Sequence, residues 1–266
     1  MRKTMLKNTA FMVFAALLVV ACKKDASVAP DETISDATLS KIYQLGFSSQ
    51  QVTRDEDGNY LVEGDIVLSE ADLAAAPSTT FLRVGSEEQY RTNNLVTGLP
   101  RVITVSISNK LPASYIAALD EALARYNAQG LRISFQRVSS NAAISLVKAN
   151  GSYLASAGFP TAGGAPYNQV KVNSRAIGNQ PQSTVATILA HELGHCIGFR
   201  HTDYMDRSYS CGGKAVNEGA STVGAVLVPG TPAGPDPNSW MLACIGSGQN
   251  RPFNNNDKTA LDYLYK

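Results

Sequence analysis

The sequence predicts an α+β fold. Apolar and polar residues alternate over 101–108, which is typical of a strand with one buried face. One helix is predicted to begin near Pro112, and a second, strongly apolar helix covers 181–197. Between the two helices, short apolar runs predict further strands at 131–138, 143–148 and 170–173. Strands mixed with two helices in this order indicate an α+β or α/β half-domain.

Each predicted helix has a packed face and an expected end. The first should end at Gly130, and its face comprises Ile116, Leu119, Leu123 and Tyr126. The second should end at Gly198, because glycine readily takes the left-handed conformation that terminates helices. Its apolar contacts are Val185, Ile188, Leu189 and Leu193. A last helix is expected with Asp257 as its N-cap, and its packed face comprises Ala260, Leu261 and Leu264.

The remaining segments are predicted from their turn signals and polarity. Residues 54–59 form a charged turn, and 60–68 form an extended stretch. Residues 86–98 are polar and expected to be exposed. Residues 212–238 are rich in Gly, Pro, Ser and Thr, so they should be mostly loop.

Composition narrows the function classes. The chain has 266 residues, of which 44% are hydrophobic and 17% charged, so it can bury a core and is not globally disordered. Lys and Arg number 23 against 22 Asp and Glu, which argues against a dedicated nucleic-acid-binding protein. Four cysteines are too few for a fold that depends on disulfides.

The N-terminus has the pattern of an export signal. Basic residues precede an apolar run over 10–20, which is too short for a stable transmembrane anchor. The run ends in Val-Val-Ala-Cys, which resembles a bacterial lipobox; the resemblance implies cleavage after residue 21 and lipidation of Cys22. The alternative is an ordinary signal with a chance cysteine. Residues 1–21 are therefore predicted to be a lipoprotein signal peptide and 22–35 a polar tether.

A metal site is predicted from the histidines. All three in the chain lie in one segment, at His191, His195 and His201. Because His191 and His195 are four residues apart on a predicted helix, their rings leave the same face. Gly198 can then turn the chain so that His201 becomes a third ligand. Three protein nitrogens with an open position are typical of a catalytic zinc ion.

Glu192 is the predicted general base and acid. It follows the first histidine directly and points about 100° round the helix, so it can reach the attacking water without binding the metal. Such a site would hydrolyse amide bonds.

The segment His191–His201 reads HELGHCIGFRH and resembles the metzincin pattern HExxHxxGxxH, closest to the bacterial HEIGH-type metallopeptidases. The resemblance implies three zinc ligands, a Glu192 base, and a methionine turn at Ser239-Trp240-Met241 with Met241 beneath the metal. It also implies a twisted mixed sheet with a backing helix and an active-site helix, followed by a loop-rich C-terminal subdomain with a C-terminal helix. We assign residues 98–266 to this catalytic domain.

Two features concern the more distant astacins. Their zinc-binding tyrosine, two residues after the turn methionine, is replaced by Ala243, so a fifth ligand is not expected here. Val62-Glu63-Gly64-Asp65 resembles the astacin prosegment motif FxGD with Val in place of Phe. The resemblance implies that residues 36–97 are a propeptide and that Asp65 occupies the zinc site. The alternative is that Asp65 is a turn residue in an N-terminal accessory domain.

Two points stay open at this stage. Cys211 could pair with Cys244 or with Cys196, and sequence does not decide between them. Residues 154–159 could be a sheet edge that binds substrate as an added strand, or a simple Gly-rich loop.

We therefore expect an exported, membrane-anchored zinc metalloendopeptidase at the periplasmic face or cell surface, which is a zymogen if Asp65 occupies the zinc site. It should be monomeric, with a protein or peptide substrate, one catalytic Zn²⁺ and no nucleic-acid partner. The alternative is a non-enzymatic, zinc-containing surface lipoprotein that acts as a binding module. The intact Glu192 favours the enzyme, because a binding module needs no base.

Overall fold

The structure is a computed structural model that describes residues 33–45, 47–74, 89–217, 225–232 and 234–266. Residues 34–266 fold as one compact unit. The predicted signal peptide, Cys22 and most of the predicted tether lie outside the described residues. No helix in the described ranges combines the length and apolar character needed to cross a bilayer.

The N-terminal region forms a small subdomain around its own core. Its elements are α1 (Asp36–Gln44), β1 (Thr53–Arg54), β2 (Tyr60–Val62), β3 (Ile66–Leu68) and α2 (Glu70–Ala74). The three strands form an antiparallel sheet in the order β1-β2-β3, with Val62 paired to Ile66. Its core comprises buried side chains from both helices, from the segment after α1 and from β2 and β3, chiefly Ile42, Leu45, Phe47, Tyr60, Val62, Ile66, Leu68 and Leu73.

The rest of the described chain is built on a five-stranded mixed sheet, and a separate two-stranded sheet joins Tyr90–Arg91 to Val226–Leu227. The first elements of this part of the chain are β4 (Tyr90–Arg91), β5 (Arg101–Ile107), α3 (Ser114–Asn127), β6 (Ile133–Arg137) and β7 (Ile144–Lys148). There follow β8 (Ala155–Ser156), β9 (Gln169–Val172), α4 (Ser174–Ile177) and α5 (Gln182–Cys196). The last are α6 (Ser208–Cys211), β10 (Val226–Leu227) and α7 (Asn255–Tyr265).

The five strands lie in the order β6-β5-β7-β9-β8, so β8 is an edge strand. Neighbours are parallel except β8, which runs antiparallel to β9. Helices α3 and α5 pack together against the sheet, because their apolar faces and the inward side chains of the strands share one core. The predicted α+β class, with two principal helices and a C-terminal helix, is confirmed.

Four sequence expectations are wrong in detail. Residues 60–68 form a hairpin rather than one extended stretch, because Glu63 and Gly64 take positive φ angles of 57° and 95°. Ile116 is 39% exposed, and Tyr115 is buried in its place. Segment 86–98 is not uniformly exposed: Gln89, Tyr90, Thr92 and Val96 are buried. The N-cap of α7 is Asn254, and Asp257 is the N3 residue that completes the capping box.

Candidate metal centre and cleft

The three histidine rings converge at the end of α5. His191 and His195 project from consecutive turns of this helix, which is buried over nearly its whole length. Gly198 has a φ of 107° and turns the chain, so that His201 returns towards the helix. Ring centroids are 4.6 Å apart for His191 and His195, 5.2 Å for His191 and His201, and 4.9 Å for His195 and His201.

Backbone carbonyls orient two of these rings. His191 Nδ1 donates to the carbonyl oxygen of Trp240 at 2.9 Å, and His195 Nδ1 donates to that of Phe199 at 2.8 Å. Since a carbonyl can only accept, each Nε2 is left with a lone pair. Both Nε2 atoms are buried and make no hydrogen bond within the described part of the chain. Buried imidazole lone pairs that face one another fit a zinc ion.

Asp65 completes this cluster from the N-terminal region. Its Oδ2 lies 3.2 Å from Nε2 of His201 and 3.4 Å from Nε2 of His191. One ligand atom from each of the four residues lies within 4.8 Å of the others. Three imidazole nitrogens and a carboxylate oxygen are all ligands that zinc accepts.

The electrostatics of the cluster favour an ionised Asp65 and a neutral His195. Burial opposes ionisation of Asp65, but the charge of His201 and the close approach of the His191 and His201 rings to its carboxylate outweigh it and hold the Asp65 pKa well below its usual value. Burial, then the neighbouring histidines, lower the pKa of His195 well below its usual value. A neutral imidazole beside a carboxylate is the protonation state that binds metal.

Glu192 is buried beside the histidines. It is 3% exposed, and its Oε2 makes no hydrogen bond to any described residue. Burial, and then the negative charge of Asp65, raise the pKa of Glu192 well above its usual value. A carboxylate with a raised pKa can both take and return a proton near neutral pH.

Met241 packs against α5 between the two helical histidines. It is fully buried, and a Cβ placed on Gly194 would lie 2.6 Å from Met241 Sδ. The neighbouring Trp240 donates from Nε1 to Tyr126 Oη at 3.2 Å, and Tyr126 donates to the carbonyl of Ala190 at 2.7 Å. The contacts of Met241, Trp240 and Tyr126 therefore fix the position of α5 relative to the loop that carries Met241.

Asp257 holds that loop from below, a role that sequence reasoning missed. Its Oδ1 accepts from Ser239 Oγ at 2.9 Å and from Gln89 Nε2 at 2.7 Å. Burial raises its pKa to about 6, although hydrogen bonds from Asn254, Ser239 and Trp240 oppose the rise. The sequence indicated that Asp257 lies at the start of a helix, but a capping position does not reveal which distant residues the side chain binds.

The N-terminal region lies along the edge strand of the large sheet. The Ala157 N–H donates to the carbonyl of Asp65 at 2.9 Å, and the Val67 N–H donates to the carbonyl of Ala157 at 2.8 Å. Ile66 and Ala157 form a parallel bridge. Residues 154–159 thus include an edge strand, which agrees with one of the two sequence expectations. In this structure the segment 65–67 of the same chain is hydrogen-bonded to Ala157 at that edge.

Charged contacts also join the two regions. Glu63 and Arg200 form a fully buried ion pair in which Arg200 Nη2 donates to both carboxylate oxygens at 2.8 Å. Lys171 Nζ lies 2.9 Å from Asp55 Oδ2 and 2.6 Å from Asp57 Oδ2. Sequence reasoning missed these pairs, since their partners are more than a hundred residues apart and only the unusual arginine inside the histidine motif hinted at them.

The cysteines follow one of the two expected pairings. Cys211 and Cys244 form a disulfide, so the alternative Cys196–Cys211 is wrong. Cys196 is buried with no disulfide partner, and burial raises its pKa well above its usual value, so it stays a neutral thiol. Ala243 lines the cleft at the position where astacins carry tyrosine.

Comparison with known proteins gives the family. The model of the dual-action HEIGH metallo-peptidase family matches residues 60–265. Two structures of myroilysin are similar at 17% and 15% identity, with TM-scores of 0.43 and 0.40. They cover 66% and 68% of this chain, and 97% and 91% of their own.

A third similar structure is high choriolytic enzyme 1, a hatching-enzyme zinc-protease from the medaka fish Oryzias latipes. It is 19% identical with a TM-score of 0.35, covering 71% of this chain and 98% of its own. No curated protein matches the chain. The family match confirms the predicted metallopeptidase activity, and the donor atoms of the histidine cluster fit the predicted zinc cofactor. The chain therefore belongs to the dual-action HEIGH metallo-peptidase family.

Proposed function

We propose that this chain is an exported zinc endopeptidase that its own N-terminal region keeps latent. One observation carries the proposal. Three histidine nitrogens and an Asp65 oxygen lie within 4.8 Å of one another. The buried carboxylate of Glu192 borders the same cleft as His191 and Asp65.

In this proposal His191, His195 and His201 hold the zinc ion through Nε2. The Nδ1 bonds of His191 and His195 to backbone carbonyls support it, because they fix both the tautomer and the ring direction. Bound zinc supplies Lewis acidity that polarises the scissile carbonyl and acidifies water. Met241 provides an apolar support beneath the helix that carries two of the ligands.

Glu192 acts as the proton carrier. It takes a proton from the attacking water at its carboxylate and later gives that proton to the departing amide nitrogen. Its buried position supports this role, since desolvation makes the carboxylate a stronger base than a surface glutamate.

Asp65 accounts for latency. Its carboxylate lies among the histidines, in the space that water and the substrate carbonyl need during turnover. Segment 65–67 is hydrogen-bonded to the sheet edge at Ala157, where an extended substrate would add as a strand. One segment therefore blocks both the metal position and the backbone position of a substrate.

Activation then requires this region to leave. The predicted propeptide spans 36–97, but residues 89–92 pack with the catalytic part. Tyr90–Arg91 pair with Val226–Leu227, and the Thr92 N–H donates to the carbonyl of Gly198 at 2.8 Å. These contacts favour an activating cleavage before Gln89.

Export and lipid anchoring rest on the sequence alone. The signal and lipobox pattern place a lipid on Cys22, and residues 22–35 would tether the enzyme to the membrane surface. We expect a monomer that cleaves extracellular or periplasmic protein. Family membership favours this function over a binding module without activity.

The test compares full-length, zinc-loaded variants on a peptide library, with zinc content measured on the same samples. Wild-type protein should cleave slowly. Asp65→Ala should cleave faster, and adding Glu192→Ala to it should abolish cleavage while about one zinc per chain is retained. Asp36→Ala, an exposed carboxylate of the same region, is the control and should stay latent. Full cleavage by the Glu192→Ala protein would contradict the assignment of the base.

A further inference from the structure

The cleft beside the histidines contains an arginine, Arg251, that forms no ion pair with a carboxylate among the described residues. The cleft has a volume of about 250 Å³ and is bordered by His191 and Glu192, with apolar Ile188 and Ile245 among its walls. Arg251 lines the same cleft and is half-buried. A positioned guanidinium beside an apolar wall is typical of a pocket that recognises a charged group.

Arg251 is held in place from three directions. Its backbone N–H donates to Thr187 Oγ1 on α5 at 3.1 Å. Its Nη1 donates to the carbonyl of Cys244 at 2.8 Å, and its Nη2 donates to Gln249 Oε1 at 3.0 Å. The Cys244 side of this frame is fixed by its disulfide to Cys211. The guanidinium is therefore positioned before any ligand arrives.

The partners of Arg251 are neutral. Both acceptors are amide oxygens, and in the described ranges no carboxylate lies within ion-pair distance of Arg251. A guanidinium has five N–H donors, so it can form more bonds than these two. Burial lowers the pKa of Arg251, with only a partial opposing effect from the charge of Asp203. A carboxylate ligand would supply the missing charge and accept further hydrogen bonds.

The charge of the cleft also changes on activation. Glu63 and Asp65 border it in the latent form, together with Arg207, whose Nη2 would lie 3.0 Å from a Cβ on Gly64. When the N-terminal region leaves, both carboxylates leave with it. Arg207 and Arg251 then face a cleft in which Glu192 is the acidic residue among the described lining.

We propose that Arg251 binds a carboxylate of the substrate, so that this peptidase prefers peptides with a carboxylate close to the cleaved bond. The inference rests on the proposed function, because it places a peptide in the same cleft. An aspartate or glutamate side chain and a free C-terminus share this chemistry. In either case Arg251 determines specificity and takes no part in the bond-breaking step.

The experiment uses full-length, zinc-loaded Asp65→Ala protein and matched peptides. One series carries Glu or Gln at each of the first three positions after the cleaved bond, and a second has a free or an amidated C-terminus. We expect kcat/KM to be about 10- to 100-fold higher for the carboxylate member of one pair, mainly through KM. Arg251→Gln should reduce this ratio to about 1, mainly by raising KM for the carboxylate peptide, and Arg251→Lys should keep part of it. Arg175→Gln, at an exposed arginine, is the control.

The two series separate the sources of the carboxylate. A preference for Glu identifies an acidic side chain, and a loss of preference on amidation identifies the C-terminus. Equal ratios in the parent and the Arg251→Gln protein would overturn the proposal, and so would an absence of charge preference in the parent. Melting temperatures within a few degrees would show that each variant is folded.

A binding arm keeps this inference separate from catalysis. The same peptides, labelled with a fluorophore, are titrated into Asp65→Ala/Glu192→Ala protein with and without Arg251→Gln. Failure of every variant to cleave would reject the endopeptidase, yet a charge preference in binding that Arg251→Gln removes would support the carboxylate site. Equal binding of charged and neutral peptides would reject the site even if cleavage is observed.

Discussion

The buried ion pair between Glu63 and Arg200 should determine how firmly the N-terminal region stays docked. Both side chains are fully buried, and both carboxylate oxygens lie 2.8 Å from Arg200 Nη2. Arg200 also stacks over the ring of Phe47, with its guanidinium carbon 4.7 Å from the ring centroid. Glu63→Gln would leave the arginine buried without this counter-charge.

The expected effect can be worked out from the burial. Removing one partner of a buried pair costs about 3–5 kcal/mol, because the remaining charge is no longer compensated. Taking the lower value of about 3 kcal/mol, the ratio of docked to undocked chains should fall about 150-fold. The residual activity of the full-length protein should rise by the same factor, up to the activity of the enzyme whose N-terminal region has left the cleft.

Two assays test this. Hydrolysis of a fluorogenic peptide reports the undocked fraction, with Glu70→Gln, an exposed glutamate of the same subdomain, as the control. Hydrogen exchange at the Val67 amide reports docking directly, since this N–H is bonded to the carbonyl of Ala157. Exchange is measured in Glu192→Ala protein to prevent self-cleavage. Unchanged activity and unchanged exchange in Glu63→Gln would refute the reasoning.

Three further predictions concern other parts of the molecule. Gly194→Ala should lower the free energy of unfolding by about 1–3 kcal/mol, because its Cβ would overlap Met241; an unchanged urea midpoint would contradict the packing. Burial raises the pKa of Asp257 to about 6 from an unfolded value of 3.8. The folded state therefore binds this proton more tightly, and the free energy of unfolding should fall by about 3 kcal/mol between about pH 4 and pH 6, then stay level. Asp257→Asn should lack this slope in urea titrations compared pH by pH, and parallel curves would count against it. Cys22→Ser should move the protein from the membrane to the soluble fraction, and continued membrane association would exclude lipidation at this residue.

Local chemistry explains what could be predicted from the sequence. Apolar and polar residues alternate from Ile103 to Ser108, and the structure places β5 at 101–107 with Ile103 and Val105 fully buried. The histidine spacing is likewise a local property of one helix and one turn, so the convergence of the three rings followed from α5 and Gly198.

Long-range partners explain what could not be predicted. Ile116 has the correct spacing for the packed face of α3, but Tyr115 reaches the core instead, since the direction of a helix face depends on what it packs against. Tyr90 and Thr92 are buried because they pair with β10 and with Gly198. No pattern within 86–98 reveals these partners.

Val62 stands where the astacin-like motif has Phe, and the aromatic contact beside the metal ligands comes from another segment. Val62 is fully buried in the core of the N-terminal subdomain and makes no aromatic contact near the metal ligands. Phe47 supplies one instead: its ring stacks on Phe159 with centroids 5.9 Å apart, and Phe159 meets His195 edge-on at 5.5 Å.

Because Phe47 also covers Arg200, the aromatic contact and the ion pair to Glu63 form one continuous patch beside the histidines. Phe47→Ala should then weaken docking together with Glu63→Gln, and the two effects should not add, since both changes remove a contact of the same buried arginine. A double variant whose residual activity equals the product of the two single increases would show that the aromatic contact and the ion pair act independently.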